Sequence, residues 1–150
     1  MVGIGYDSHR FADGRPLILG GVEIDHPRGL EGHSDADVVT HAVIDAILGA
    51  TGGGDIGSLF PPDEPQWRDA DSIDLLRTAI GTIGGAVLNV DATVICEEPK
   101  IGPYKAQMQQ ILQDAISARV TIKATTNEGM GWIGRGEGIA CIAVAQVADN

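Results

Sequence analysis

The strongest chemical signal lies near the start of the chain, in residues 3–11 (GIGYDSHRF), where Asp7 and His9 stand one residue apart. On a strand spanning about 2–8 both side chains leave the same face. A carboxylate beside an imidazole can hold a divalent cation, and a catalytic zinc takes three protein ligands with one position left open. His41 is the candidate third ligand. Two imidazoles and one carboxylate suit zinc, iron or manganese alike, so ligand type does not choose the metal. The spacing alone also permits a helix-surface histidine and a turn aspartate.

Other chemistry-bearing residues have plainer readings beside them. His33 and Ser34 precede a predicted helix, where amide N–H groups favour a phosphate, although a cap and a loop histidine account for both. Thr125, Thr126, Asn127 and Glu128 end a predicted strand with two hydroxyls and a carboxylate, a set suited to phosphate oxygens and magnesium, or simply to a turn. Arg135 and Glu137 read as a solvated ion pair. The glycines of residues 134–138 (GRGEG) do not match GxGxxG, and no P-loop motif is present.

The elements that must position these groups follow from pattern. A hairpin is predicted from 17–19 and 22–24 across Gly20 and Gly21, and 26–33 reads as loop. Ser34, with Asp37 three residues on, predicts a helix from 34 to about 49, with Val39, Ala42, Val43, Ala46, Ile47 and Ala50 as its buried stripe. Asp37, His41 and Asp45 fall on another face, away from that stripe. Residues 51–65 are too rich in Gly and Pro for regular structure, and the loop is long enough to bind something. Helices are predicted at 72–83 and 104–117, and strands at 86–96, 120–125 and 138–147. The result is a single α+β (α/β-type) domain over 1–150, a mixed β-sheet with helices packed on one face.

Composition narrows the partners. A 150-residue chain buries roughly two thirds of its unfolded surface. With 4% aromatics and 21 glycines the core is small and aliphatic, and burial between subunits would help it. A net charge of −11 repels nucleic acid and anionic membranes, though bound cations can still recruit a small phosphorylated substrate. Cys96 and Cys141 lack redox or zinc-finger spacing and read as buried, reduced thiols. No targeting or spanning segment is evident, so the expectation is a cytoplasmic, bacterial-type protein.

Taken in order, GIGYDSHRF, GHSDADV with His41, GDIGSLFPPDEP, EEPKIGPY and KATTNEGMGWIGRGEGIA resemble the 2-C-methyl-D-erythritol 2,4-cyclodiphosphate synthase family over nearly the whole chain. The resemblance implies a lyase of non-mevalonate isoprenoid synthesis. It converts 4-diphosphocytidyl-2-C-methyl-D-erythritol 2-phosphate to the cyclodiphosphate and CMP. It also implies Zn2+, or another divalent transition metal, at Asp7, His9 and His41, and Mg2+ or Mn2+ at Glu128.

On the same resemblance, His33 and Thr126 stabilise the transition state, while Ser34, Asp55, Ile56, Gly57, Phe60, Pro61, Pro62, Asp63 and Glu64 line the substrate site. Cys96, Glu97, Glu98, Pro99, Lys100, Ile101 and Gly102 take the cytidine end from a neighbouring subunit, and Thr125, Asn127, Trp132 and Arg135 complete the contacts. The assembly implied is a homotrimer with sheets facing the threefold axis and a central cavity at Arg135 and Glu137 open to an isoprenoid diphosphate. Two departures stand out: Trp132 where a Phe-type aromatic is common, and the Glu97-Glu98 charge beside the cytidine loop. A non-catalytic trimeric binder and a zinc phosphohydrolase are the competing classes.

Overall fold

A computed structural model describes residues 1–149. Its centre is a five-stranded mixed sheet in the order β4-β1-β7-β5-β6. These strands are β1 (Val2–Ala12), β4 (Gly29–Leu30), β5 (Ala86–Ile95), β6 (Arg119–Thr125) and β7 (Gly138–Ala148). Only β5 and β6 run parallel. The predicted hairpin forms a separate two-stranded sheet, β2 (Leu17–Leu19) with β3 (Val22–Ile24).

The helices α1 (Val38–Thr51), α3 (Ser72–Thr82) and α4 (Lys105–Ile116) supply the apolar layer on one face of the sheet. Alternation along the central strand β7 puts Cys141, Ala143, Ala145 and Val147 into that core. The opposite sheet face shows Val2, Ile4, Tyr6, Ile142 and Val144 to the outside. Helices on one face and a mixed sheet are therefore as expected.

The closest packing is between β1 and α1. A Cβ added at Gly3 would lie 2.1 Å from the Ala46 carbonyl oxygen, and one at Gly5 would lie 1.9 Å from that of Ala42. Only glycine fits under the helix at these two positions. The helix thus sits directly on the strand, and the next two inward-facing positions of β1 are Asp7 and His9.

Several expectations change. Helix α1 starts at Val38, and Asp37, not Ser34, caps it by accepting from the Thr40 amide at 3.0 Å. Ser and Asp are equally good caps, so the sequence offered two candidates. Asp37 wins because its carboxylate also accepts from the Gly20 and Gly21 amides, both at 2.8 Å, tying the hairpin to the helix. The buried stripe is also wider than the periodicity suggests, because Ile44, Leu48 and His41 itself are buried with it. Residues 29–30 are no loop but pair with Phe11 and Ala12 at the sheet edge. The glycine-rich stretch contains a short helix, α2 (Ile56–Leu59), capped by Asp55, and a 3-10 turn at Pro65–Trp67. Another short helix, α5 (Gly131–Gly134), interrupts the connection into β7.

Candidate metal centre and its cavities

Asp7, His9 and His41 each offer a ligand atom within 4.8 Å of the others. His9 Nε2 lies 2.9 Å from Asp7 Oδ2, and His41 Nδ1 lies 3.2 Å from the same oxygen. Ligands at about 2.0 Å around a tetrahedral zinc stand about 3.3 Å apart, so the cluster has the right spread for such an ion. No other grouping of this kind occurs among the described residues.

The far side of His41 sets its tautomer. Its Nε2 is 2.8 Å from Ser72 Oγ and 3.1 Å from Ser34 Oγ, and the Ser72 hydroxyl donates to Asp35. With the Ser72 proton so committed, its oxygen accepts from an Nε2–H. Nδ1 is then the free lone pair, and it faces a carboxylate oxygen. Two acceptors at that distance need a positive charge between them, either a proton on the ring or a metal ion. The donor set fits a divalent cation for that reason.

Electrostatics agree. Burial raises Asp7, but hydrogen bonds and charge from His41 and His9 outweigh it and hold the carboxyl at about 2. Burial alone would lower His41, whereas its hydrogen bond to Asp7, with the charges of Asp7, Asp37 and Asp35, raises the ring above its ordinary 6.5. Asp45, one turn along α1, is raised chiefly by burial; it accepts the Ile56 amide at 2.7 Å and so anchors the start of α2.

The cluster opens into a cavity of about 240 Å³ whose walls include His33, Ser34, Ile56, Gly57, Phe60, Pro62, Trp67 and Leu75. Phe60 and Trp67 meet edge to face, 4.8 Å between centroids, forming an apolar wall. Arg15 donates to the Gly32 and Ser34 carbonyls, each at 2.6 Å, and so holds the loop bearing His33 and Ser34.

A second cavity, of about 260 Å³, is lined by residues 96–101 with Ala124, Thr125 and Thr126. His33 and Thr126, the two transition-state candidates, thus face different cavities of one chain. Glu128 is exposed in the loop after β6 and belongs to neither lining. A third hollow holds Ser8, His9, Arg10, Trp132 and Glu137. Arg135 and Glu137 form an exposed ion pair at 2.8 Å. Both cysteines are buried and free.

Sequence reasoning missed Ser72 and Asp35, which orient His41, Arg15, which holds the 32–34 loop, and Trp67 and Leu75 in the cavity wall. Ser72 offered a signal of sorts, two possible caps in succession at 71–72. Asp71 takes the cap, accepting from the Ile73 amide, which frees the serine hydroxyl for the histidine.

Fold and site together define an α+β domain with a potential metal-chelating triad divided between a strand and the helix lying on it. The chain matches the YgbB family over residues 1–148 and belongs to it. It is 55% identical over 154 residues to 2-C-methyl-D-erythritol 2,4-cyclodiphosphate synthase of Symbiobacterium thermophilum, covering 99% of this chain and 98% of that one. A solved structure of 2C-methyl-D-erythritol-2,4-cyclodiphosphate synthase in its CDP-bound form superposes with a TM-score of 0.90 at 34% identity, over 99% of this chain and 100% of the other. The bifunctional IspDF of Campylobacter jejuni superposes at 0.91 with 41% identity, over 96% of this chain but 41% of the larger protein.

Proposed function

We infer that this chain is a cyclodiphosphate synthase, which converts 4-diphosphocytidyl-2-C-methyl-D-erythritol 2-phosphate to 2-C-methyl-D-erythritol 2,4-cyclodiphosphate and CMP. The observation that carries this is the convergence of Asp7, His9 and His41 at the mouth of a cavity, in a chain of this family. In the reaction an oxygen of the 2-phosphate bonds to the β-phosphorus. The bond from that phosphorus to the bridging oxygen breaks, and CMP leaves with the electron pair. The attacking phosphate is already ionised at neutral pH, so no general base is needed. Catalysis then rests on holding the reacting atoms in line and offsetting charge.

Zinc at Asp7, His9 and His41, with magnesium or manganese at Glu128, would supply Lewis-acid charge to the phosphate oxygens. His33 and Ser34, held by Arg15, bind and orient the phosphate end, and Thr126 a phosphate oxygen from the other side. Phe60, Trp67 and Leu75 exclude water from the methylerythritol part. Asp55 to Gly57 and Pro61 to Glu64 form the rim above them. Cys96 to Gly102 cradle the cytidine, with Lys100 against its phosphates, and Thr125, Asn127, Trp132 and Arg135 complete the enclosure.

The two half-sites open separately on one chain, which supports a working site assembled between copies. Apolar exposure at Val2, Ile4, Tyr6, Ile142 and Val144 supports a homotrimer with these sheet faces turned to the threefold axis. Arg135 and Glu137 would then border a central cavity that admits an isoprenoid diphosphate.

Phosphorus NMR of the product formed with zinc and magnesium tests the reading. A cyclic diphosphate with stoichiometric CMP is expected. An open product with inorganic phosphate would instead make the chain a phosphohydrolase.

A further inference from the structure

We propose that Glu97 is a positioning residue that locks the nucleotide-facing loop, residues 96–102, to the cation-ligand loop, residues 125–129, so that nucleotide and second cation bind as a coupled pair. The identities of those two ligands rest on the functional reading above.

Glu97 and Glu98 look like a single acidic patch in the sequence, but they are differently employed. Glu98 is exposed, whereas Glu97 is half-buried and points across the end of the sheet. Its Oε2 accepts from the Asn127 amide at 2.7 Å, and its Oε1 accepts from the Gly129 amide at 2.9 Å. The two amides flank Glu128. Both carboxylate oxygens are therefore spent on the backbone on either side of the residue that would hold the cation. Bonds from backbone amides to an ionised carboxylate are the stronger kind.

The topology explains why this residue makes the crossing. Strands β5 and β6 lie side by side and pair through Ile95 and Thr125. The Cys96 amide still reaches the Thr125 carbonyl at 3.1 Å, and there the backbone ladder stops. Glu97 is the next residue, and its side chain continues the connection that the backbone no longer makes.

The loop so held needs holding. Glu128 has φ +53°, a left-handed conformation that a residue with a side chain keeps only when its surroundings fix it. Its other local restraints are the Glu128 amide to Thr126 Oγ1 at 3.2 Å, the Asn127 side chain to the Met130 carbonyl at 2.8 Å and the Met130 amide to the Asn127 carbonyl at 3.0 Å. All three are local, within residues 126–130. Beyond the Cys96–Thr125 backbone bond, Glu97 is the side-chain restraint that comes from the nucleotide side, so a shift of either loop is felt by the other.

Glu97→Gln tests this with almost no change of shape. An amide keeps one acceptor oxygen but sets an NH2 against the second backbone N–H. Glu97→Ala removes both acceptors. CDP binding is measured by calorimetry with and without Mn2+, and exchange of the amides at 127–129 is followed by mass spectrometry. The wild type is expected to bind CDP more tightly with Mn2+. In both variants that gain falls by about tenfold, while zinc content and cooperative melting are kept. Exchange at 127–129 speeds up in parallel. Unchanged Mn2+ dependence with unchanged exchange would overturn the proposal and leave the functional reading intact. A wild type that binds neither CDP nor Mn2+ would overturn both.

Discussion

Gly5 of β1 lies so close to Ala42 of α1 that a Cβ on the glycine would sit 1.9 Å from the alanine carbonyl oxygen. That contact sets the gap between strand and helix. At the next inward-facing position of β1, and one residue back along α1, the same gap brings Asp7 and His41 to 3.2 Å. Close packing and metal-site geometry are thus one constraint.

Gly5→Ala is therefore expected to damage the site before the fold. The extra methyl has only backbone to meet, so the helix must lift, at a cost of roughly 1–3 kcal/mol in overpacking. Zinc affinity, read by competition with a chelator, should fall by at least about tenfold. Denaturant midpoints give the stability loss independently.

Ser72→Ala removes the acceptor that fixes the His41 tautomer, and with it the link to Asp35. Loss of such a supporting partner commonly weakens metal binding by about 10–100-fold. The Asp71 cap of α3 is untouched, so melting should move little. Retained metal affinity in this variant would show that Ser34 alone orients the ring.

The pH dependence of the metal-free protein follows from the shifts at the site. Asp7 is lowered from 3.8 to about 2, so its contribution, about 2 kcal/mol, is present above 3.8 and lost as pH falls through about 2. His41 is raised, so its contribution is complete below 6.5 and lost as pH rises through its folded value. Together they favour the folded state most between roughly pH 4 and 6.5. Melts of chelator-treated protein across pH check this. Metal binding requires a neutral ring, so zinc uptake should release a proton in that acidic range, as calorimetry in two buffers would read.

The thiols should be inert. Burial, then the charges of Glu97 and Glu98, push Cys96 up to about 11, and burial likewise pushes Cys141 up. At pH 8 about one Cys96 in a thousand is thiolate. Alkylation of the native protein should be negligible there and climb about tenfold per pH unit. Fast labelling at neutral pH would contradict the burial.

Much of the fold was legible because its signals were local. The Gly20-Gly21 turn, the breaks at 84–85, and the apolar periodicity of 72–83 and 104–117 each announce an element without outside help. The pairing of Gly29 with Ala12 did not announce itself, since a two-residue edge strand has no periodicity. The helix at 56–59 was hidden because its stability comes from outside its own sequence, from the Asp55 cap and from Asp45 on α1. In the site, ligand types and the one-residue spacing of Asp7 and His9 pointed to a metal. The serine and aspartate behind His41 could not be found that way, because Ser72 meets the ring only through the packing of α3 against α1, and Asp35 takes up the serine hydroxyl only once that packing has formed. The Glu97 charge, which looked like an obstacle to a nucleotide, proves to be taken up by two amides.

Ring closure is expected to depend on a cation held jointly by Asp7 and His9 of β1 and His41 of α1. The most direct measurement is CMP release from the authentic substrate, with zinc and magnesium supplied, by the wild type and by a His41→Ala variant shown to melt cooperatively. Steady release is expected from the wild type, and loss of nearly all of it, by at least about a thousandfold, in the variant. Full turnover by the variant would contradict that dependence.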